Sequence, residues 1–172
     1  ETDHDIVFLD ALFNYGSALD ILGDFNDDPS YYEKAIQLLS NVCQAQPDNY
    51  EARHSLGLAL VHLGEFVSDV ELIRKGCEHF EMLVNEEPED DIVWNDWGAA
   101  LLNLAQLLND PSCPNVAESL FSQAEHAFLR AISLGNIYAF YNLACCHALI
   151  GQHSIAMDFL ERARVAKALP PL

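Results

Sequence analysis

Residues 56–66, LGLALVHLGEF, repeat the pattern of residues 15–25, YGSALDILGDF, at an interval of 41 residues, the interval that also separates Pro47 from Pro88. Aligned on those prolines, the first copy reads Leu12, Tyr15, Gly16, Leu19, Gly23 and Phe25, then Ala35, Leu39 and Val42. The second reads Arg53, Leu56, Gly57, Leu60, Gly64 and Phe66, then Gly76, Phe80 and Leu83. A third copy follows as Trp94, Trp97, Gly98, Leu101, Ala105 and Leu107, then Ala124, Phe128 and Ala131, without the proline. The stretch 141–163, YNLACCHALIGQHSIAMDFLERA, closes the series: Phe140, Leu143, Ala144, His147, Gly151 and His153, then Ala156, Leu160 and Ala163. A fixed order of residues at a period of this length is the mark of a stacked repeat.

The spacing within each copy is helical. Large residues three apart, a small one beside the second, and a large one three further on form one face with a notch in it. The small residue, Gly16, Gly57, Gly98 or Ala144, lets the second helix of the pair approach closely. Ala35, Gly76, Ala124 or Ala156 provides the matching gap on that helix, and Leu39, Phe80, Phe128 or Leu160 fills the space between hairpins. Apolar periodicity predicts eight helices, near 5–22, 30–46, 49–63, 68–86, 91–109, 115–134, 137–150 and 154–168, and sustains no strand. Gly23, Gly64 and Gly151 read as helix stops, with Pro47 and Pro88 closing the helices after the first two. Ser30 with Glu33, Ser68 with Glu71 and, in weaker form, Asn115 with Glu118 read as capping boxes.

This pattern resembles the tetratricopeptide-repeat family over residues 9 to 168, in copies of about 9–48, 50–89, 91–135 and 137–168. The resemblance implies an all-α, right-handed superhelical stack of four antiparallel hairpins, formed by residues 1–172 as a single domain. Two departures stand out. The first two copies are longer than the family's usual repeat by seven residues between their helices. The third is lengthened further at QLLNDPSCPNVAES. Arg53 and His147 occupy places where the family prefers large apolar residues, and are expected to be imperfectly buried.

Composition limits the function classes. The 172 residues are 51% hydrophobic and 20% charged, as in a packed protein, and no window holds the roughly 18–20 apolar residues a membrane span requires. The N-terminus has neither an initiator Met nor the basic-then-apolar layout of a secretory signal, so a preceding stretch is expected to have been removed. Five cysteines without framework spacing predict reduced thiols and a cytoplasmic location. The net charge of −19 argues against nucleic acid and anionic membranes as partners. Nine acidic residues precede the first basic one, Lys34, whereas Arg162, Arg164 and Lys167 gather in the last helix.

No motif supports catalysis, a metal or another cofactor. Cys145, Cys146 and His147 are consecutive, and neighbouring helical side chains diverge by about 100°, too far to converge on one zinc. His54 and His62 share a helical face but stand two turns apart, too far for a metal pair. NEEPEDD at 85–91 reads as a solvated loop whose charge favours the start of a helix, and Trp94 with Trp97 as core.

The resemblance therefore directs attention to a groove, because the first helix of each pair lines the family's concave side. The residues there not used in packing are Phe13, Asn14 and Ser17; Glu51, His54, Ser55, Leu58 and His62; Asn95, Asp96 and Asn103; and Tyr138, Tyr141 and Asn142. Asn14, Ser55, Asp96 and Asn142 occupy equivalent places, where short polar side chains suit the backbone of an extended peptide. Family members that capture a C-terminal carboxylate line this groove with cations. Here Phe13, Ser17, Ser55, Ile92 and Asp96 stand in those places, so a carboxylate would meet repulsion. The expectation is a non-enzymatic adaptor, scaffold or chaperone-like module binding a neutral or basic protein segment in an acidic groove. Alternatives are a subunit that self-associates through the C-terminal helix, and an acidic bacterial type III secretion chaperone.

Overall fold

The computed structural model describes residues 3–110 and 114–169. The described residues form eight helices: α1 (Asp3–Asn26), α2 (Pro29–Ala45), α3 (Tyr50–Val67), α4 (Val70–Glu86), α5 (Asp91–Leu107), α6 (Pro114–Leu134), α7 (Ala139–Leu149) and α8 (His153–Ala166). They contain no strand. The chain divides into two compact units between Leu83 and Val84. In the first unit α1 pairs with α2, and α3 lies against both. α3 in turn pairs with α4, where Gly57 faces Phe80 and Gly64 faces Ile73. In the second unit α5 pairs with α6 and α7 with α8, and α7 lies against both α6 and α5.

The notches are real, and they are filled from within the hairpin. A methyl group on Gly16 would stand 2.9 Å from Cγ of Leu39, one on Gly57 2.9 Å from Cε1 of Phe80, and one on Gly98 2.6 Å from Cε1 of Phe128. Leu39, Phe80 and Phe128 are fully buried. Each bulky side chain thus comes from the second helix of the same pair, and Leu39 also packs with Leu56, Ala59 and Leu60 of the next hairpin, as the spacing suggested. A side chain on the second helix of an antiparallel pair meets the first helix before any other. In the fourth copy Ala144 takes the notch position, Leu160 is only half buried, and both line a cavity of about 300 Å³.

Gly23 and Gly64 are not stops. Both lie inside their helices and are buried where the Tyr32 ring and Ile73 press on them. α1 and α3 continue to Asn26 and Val67, so much of the extra length of the first two copies is additional helical turn. Asp27 (φ 53°) and Ser68 (φ 56°) end these helices in the left-handed region, as Gly151 (φ 76°) does after α7. The capping boxes are replaced by single aspartates. Asp28 accepts from the Ser30 amide at 2.9 Å, and Asp69 accepts from the Glu71 amide at 2.8 Å. A carboxylate is the stronger acceptor and adds favourable charge at the helix start, so it displaces the neighbouring serine from the cap. α6 begins at Pro114, which puts Asn115 inside the helix, and the residues that would cap it lie outside the described ones, as does Cys113.

Candidate functional site

In the first unit, lateral contacts between α1 and α3 absorb several of the expected groove residues. Ser17 Oγ donates to Ser55 Oγ at 3.4 Å. His62 Nδ1 lies 3.0 Å from the Asp20 carboxylate, and Asp20 is buried. Tyr32 stands 5.9 Å from the His62 ring and donates its hydroxyl to Asp24 at 2.5 Å. His54 turns elsewhere, its ring 5.8 Å from that of Phe80, so the two histidines of α3 serve different contacts. Phe13 packs on the apolar cluster of Leu19, Ala35, Leu39, Leu56, Ala59 and Leu60. Leu58 is half buried, whereas Asn14 and Glu51 are exposed.

The His62–Asp20 contact sets a pH dependence. Burial lowers the imidazole pKa, but the Asp20 hydrogen bond and the charges of Asp20, Asp24 and Glu65 outweigh it, leaving the pKa above its ordinary value of 6.5. A raised folded-state pKa contributes stability that is fully present below the ordinary value and is lost as pH rises through the raised one. His62→Gln should therefore destabilise by about 1 kcal/mol more at about pH 6 than at about pH 9, a figure reduced from that of a fully buried charged hydrogen bond because the ring is partly exposed. Urea midpoints of the two chains across that range check this, and a pH-independent gap would contradict it.

In the second unit, Asn142 Nδ2 of α7 donates to Asn95 Oδ1 of α5 at 2.9 Å, and Asn95 Nδ2 donates to Asp96 Oδ1 at 3.3 Å. Asn136, unremarked in the sequence, ties the same helices: its carbonyl caps α7 at the Tyr138 and Ala139 amides, and its amide donates to the Asp91 carbonyl at 3.2 Å. Tyr138 is exposed, Asn103 is half buried, and Tyr141 lines the cavity between α7 and α8. Of the equivalent polar row, Ser55, Asp96 and Asn142 are thus engaged within their own unit.

Two other expectations change. His147 is buried, because its ring stacks flat on Phe159 at 5.5 Å and its nitrogens face Gln152 (2.8 Å) and Glu125 (3.6 Å). Arg53 is half buried, as expected. Trp94 and Trp97 pack together at 5.5 Å but are only half buried, because the Trp94 indole N–H donates to the Pro88 carbonyl at 3.0 Å near the surface. The Cys146 thiol, pushed up to about 11 chiefly by burial, contacts the Phe121 carbonyl, while Cys145 faces the cavity. Among the described residues no three His, Cys, Asp or Glu side chains are grouped to hold a metal, and no helix is long and apolar enough to cross a membrane.

No protein-family model and no curated protein matches the sequence. Solved structures do. TTC0263, a thermophilic tetratricopeptide-repeat protein of Thermus thermophilus, superposes with a TM-score of 0.73 at 20% identity, over 90% of this chain and 72% of that one. The fold is a tetratricopeptide-repeat fold. MamA of AMB-1 is similar as well, with a TM-score of 0.56 at 16% identity over 96% of this chain and 95% of its own. In this tetratricopeptide-repeat fold the interhelical polar pairs, Asp20–His62 and Asn95–Asn142, are not legible in the sequence because their members stand 42 and 47 residues apart. In each pair one member stands one position off the place equivalent to the other, and the first helices lie against each other within each unit, α3 on α1 and α7 on α5.

Proposed function

We propose that this chain is a non-enzymatic interaction module whose acidic first-helix faces bind a neutral or basic, extended protein segment. The observation that carries the reading is the joining of a tetratricopeptide-repeat fold to a net charge of −19, with Asn14, Glu51 and Tyr138 exposed on the first helices or at their start. Short polar groups hydrogen-bond the backbone of such a segment, tyrosine provides an amphipathic anchor, and the charge selects against acidic ligands. Selection from a displayed peptide library tests it. Recovered peptides should be rich in Lys and Arg, and their affinity should fall as salt rises. Asn14→Ala should weaken them by about fivefold, the equivalent of one hydrogen bond of about 1 kcal/mol. Acidic peptides, or binding that ignores both salt and this variant, would count against the reading.

A second reading, a subunit that associates with its own kind through the C-terminal helix, is favoured by the apolar cavity between α7 and α8.

A further inference from the structure

The repeats within each unit join in one way. α3 sets Leu56 and Ala59 into the cleft between α1 and α2, in one apolar cluster with Leu19, Ala35 and Leu39, with Phe13 and Ile36 packed against it. The Ser17–Ser55 and Asp20–His62 contacts fix its register. α7 is seated in the same manner on α5 and α6, with Ala139, Leu143 and Cys146 buried.

The seam that enters the cleft is Ala52, Leu56, Ala59 and Leu63 in α3, all buried. Its counterparts in α1 are Ala11, Tyr15, Ala18 and Leu22, and all four are exposed, Tyr15 at 59% and Leu22 at 41%. Phe8 and Phe25 prolong the row at either end, 62% and 82% exposed. Positions 8, 11, 15, 18, 22 and 25 alternate by three and four, the spacing of a helix shaped to lie along another. An apolar row of this size in contact with water marks an interaction surface.

The other half of the joint stands open on α7 and α8. Their cavity of about 300 Å³ is lined by Tyr141, Ala144, Cys145 and Ala148 of α7 and by Ala156 and Leu160 of α8. The corresponding residues of the first hairpin are Phe13, Gly16, Ser17, Asp20, Ala35 and Leu39, most of which meet α3.

We propose that α1 of one copy docks head to tail in the α7–α8 cleft of a second copy, as α3 docks on α1 and α2. This rests on the second reading above and names the surface that fills the cavity. The two faces match at the place where the inner joint is charged. α3 brings His62 to Asp20, whereas the equivalent residues are Ile21 on α1, 56% exposed, and Ala148 on α7, so both sides are apolar together. The formal charges agree as well. α1 contains no Lys or Arg and carries Asp10, Asp20 and Asp24, whereas α8 and the residue after it carry Arg162, Arg164 and Lys167 against Asp158 and Glu161, with Arg164 paired to Glu161 and Arg162 and Lys167 as the remaining cations. Residues 46–49 reverse the chain between α2 and α3, so the same joint places Asp10 near the basic last turn of α8.

Sedimentation velocity of the full chain at about 1–100 µM tests the proposal, since association follows mass action. Mass should rise with concentration. Tyr15→Asp and Met157→Asp alter exposed side chains, one on the seam and one at the cavity, so helical circular dichroism should be unchanged. Each variant alone should be monomeric, because one half of the joint is spoiled in every copy. Mixed in equal amounts, they should form a dimer and nothing larger, through the one intact pair of ends. A wild-type chain that stays monomeric overturns both the proposal and the second reading. A wild-type chain that associates while either variant alone still does, or whose variant mixture stays monomeric, overturns the head-to-tail joint and leaves self-association standing.

Discussion

Replacing Phe80 by alanine is expected to cost about 3–5 kcal/mol, the range for deleting a buried aromatic ring from a packed core. Phe80 is wholly shielded from water. Its ring edge fills the notch over Gly57 on α3, and the ring of His54 lies 5.8 Å away. The helices cannot close on the hole by simple translation. At Gly76 a Cβ would already stand 2.9 Å from the backbone carbonyl oxygen of Gly57, so α3 and α4 are at their limit of approach there. The cavity therefore persists, and its cost adds to the lost burial. Urea unfolding followed by helical circular dichroism reads the effect as a large fall in midpoint, and a loss below about 1 kcal/mol would mean the ring is not a core element.

Gly57→Val is the converse. Valine suits a helix better than glycine by a few tenths of a kcal/mol, so on propensity alone the variant would be slightly stabilised. Its Cβ, however, would lie 2.9 Å from Cε1 of Phe80 and 3.3 Å from Cβ of His79, with two methyl groups still to be placed. Overpacking of this kind costs about 1–3 kcal/mol and outweighs the gain. The same urea experiment gives the sign, and an unchanged or higher midpoint would show that the ring moves aside freely.

The repeat was legible because it is written in residue size: the order of Gly16, Gly57 and Gly98 against Leu39, Phe80 and Phe128 carries the pairing of helices directly. What size alone left ambiguous was the role of a glycine. Gly23 and Gly64 have the sequence context of a helix stop, and only the Tyr32 ring and Ile73 pressing on them reveal that they are notches. The caps differ for a similar reason, since an aspartate two residues before Ser30 and one directly after Ser68 take the cap instead. The expected groove residues fall on α1, α3, α5 and α7 or, for Tyr138, at the start of α7, yet their engagement was not readable. Ser55, Asn142 and His62 find partners one repeat away, and a single sequence shows the residue types but not which polar groups satisfy one another. The exposed seam of α1 was hidden by the same regularity that revealed the fold, because Tyr15 and Leu22 look like the core residues they match in α3.

The seating of a bulky side chain in a glycine notch of its own hairpin is tested most directly by combining the two substitutions. In the Gly57→Val/Phe80→Ala chain the valine enters the space the ring has left, so the two losses should not add. The double variant is expected to be more stable than the sum of the single losses by about 1–3 kcal/mol, the coupling characteristic of residues in contact. Losses that add to within about 0.5 kcal/mol would place the two residues out of contact and contradict the notch.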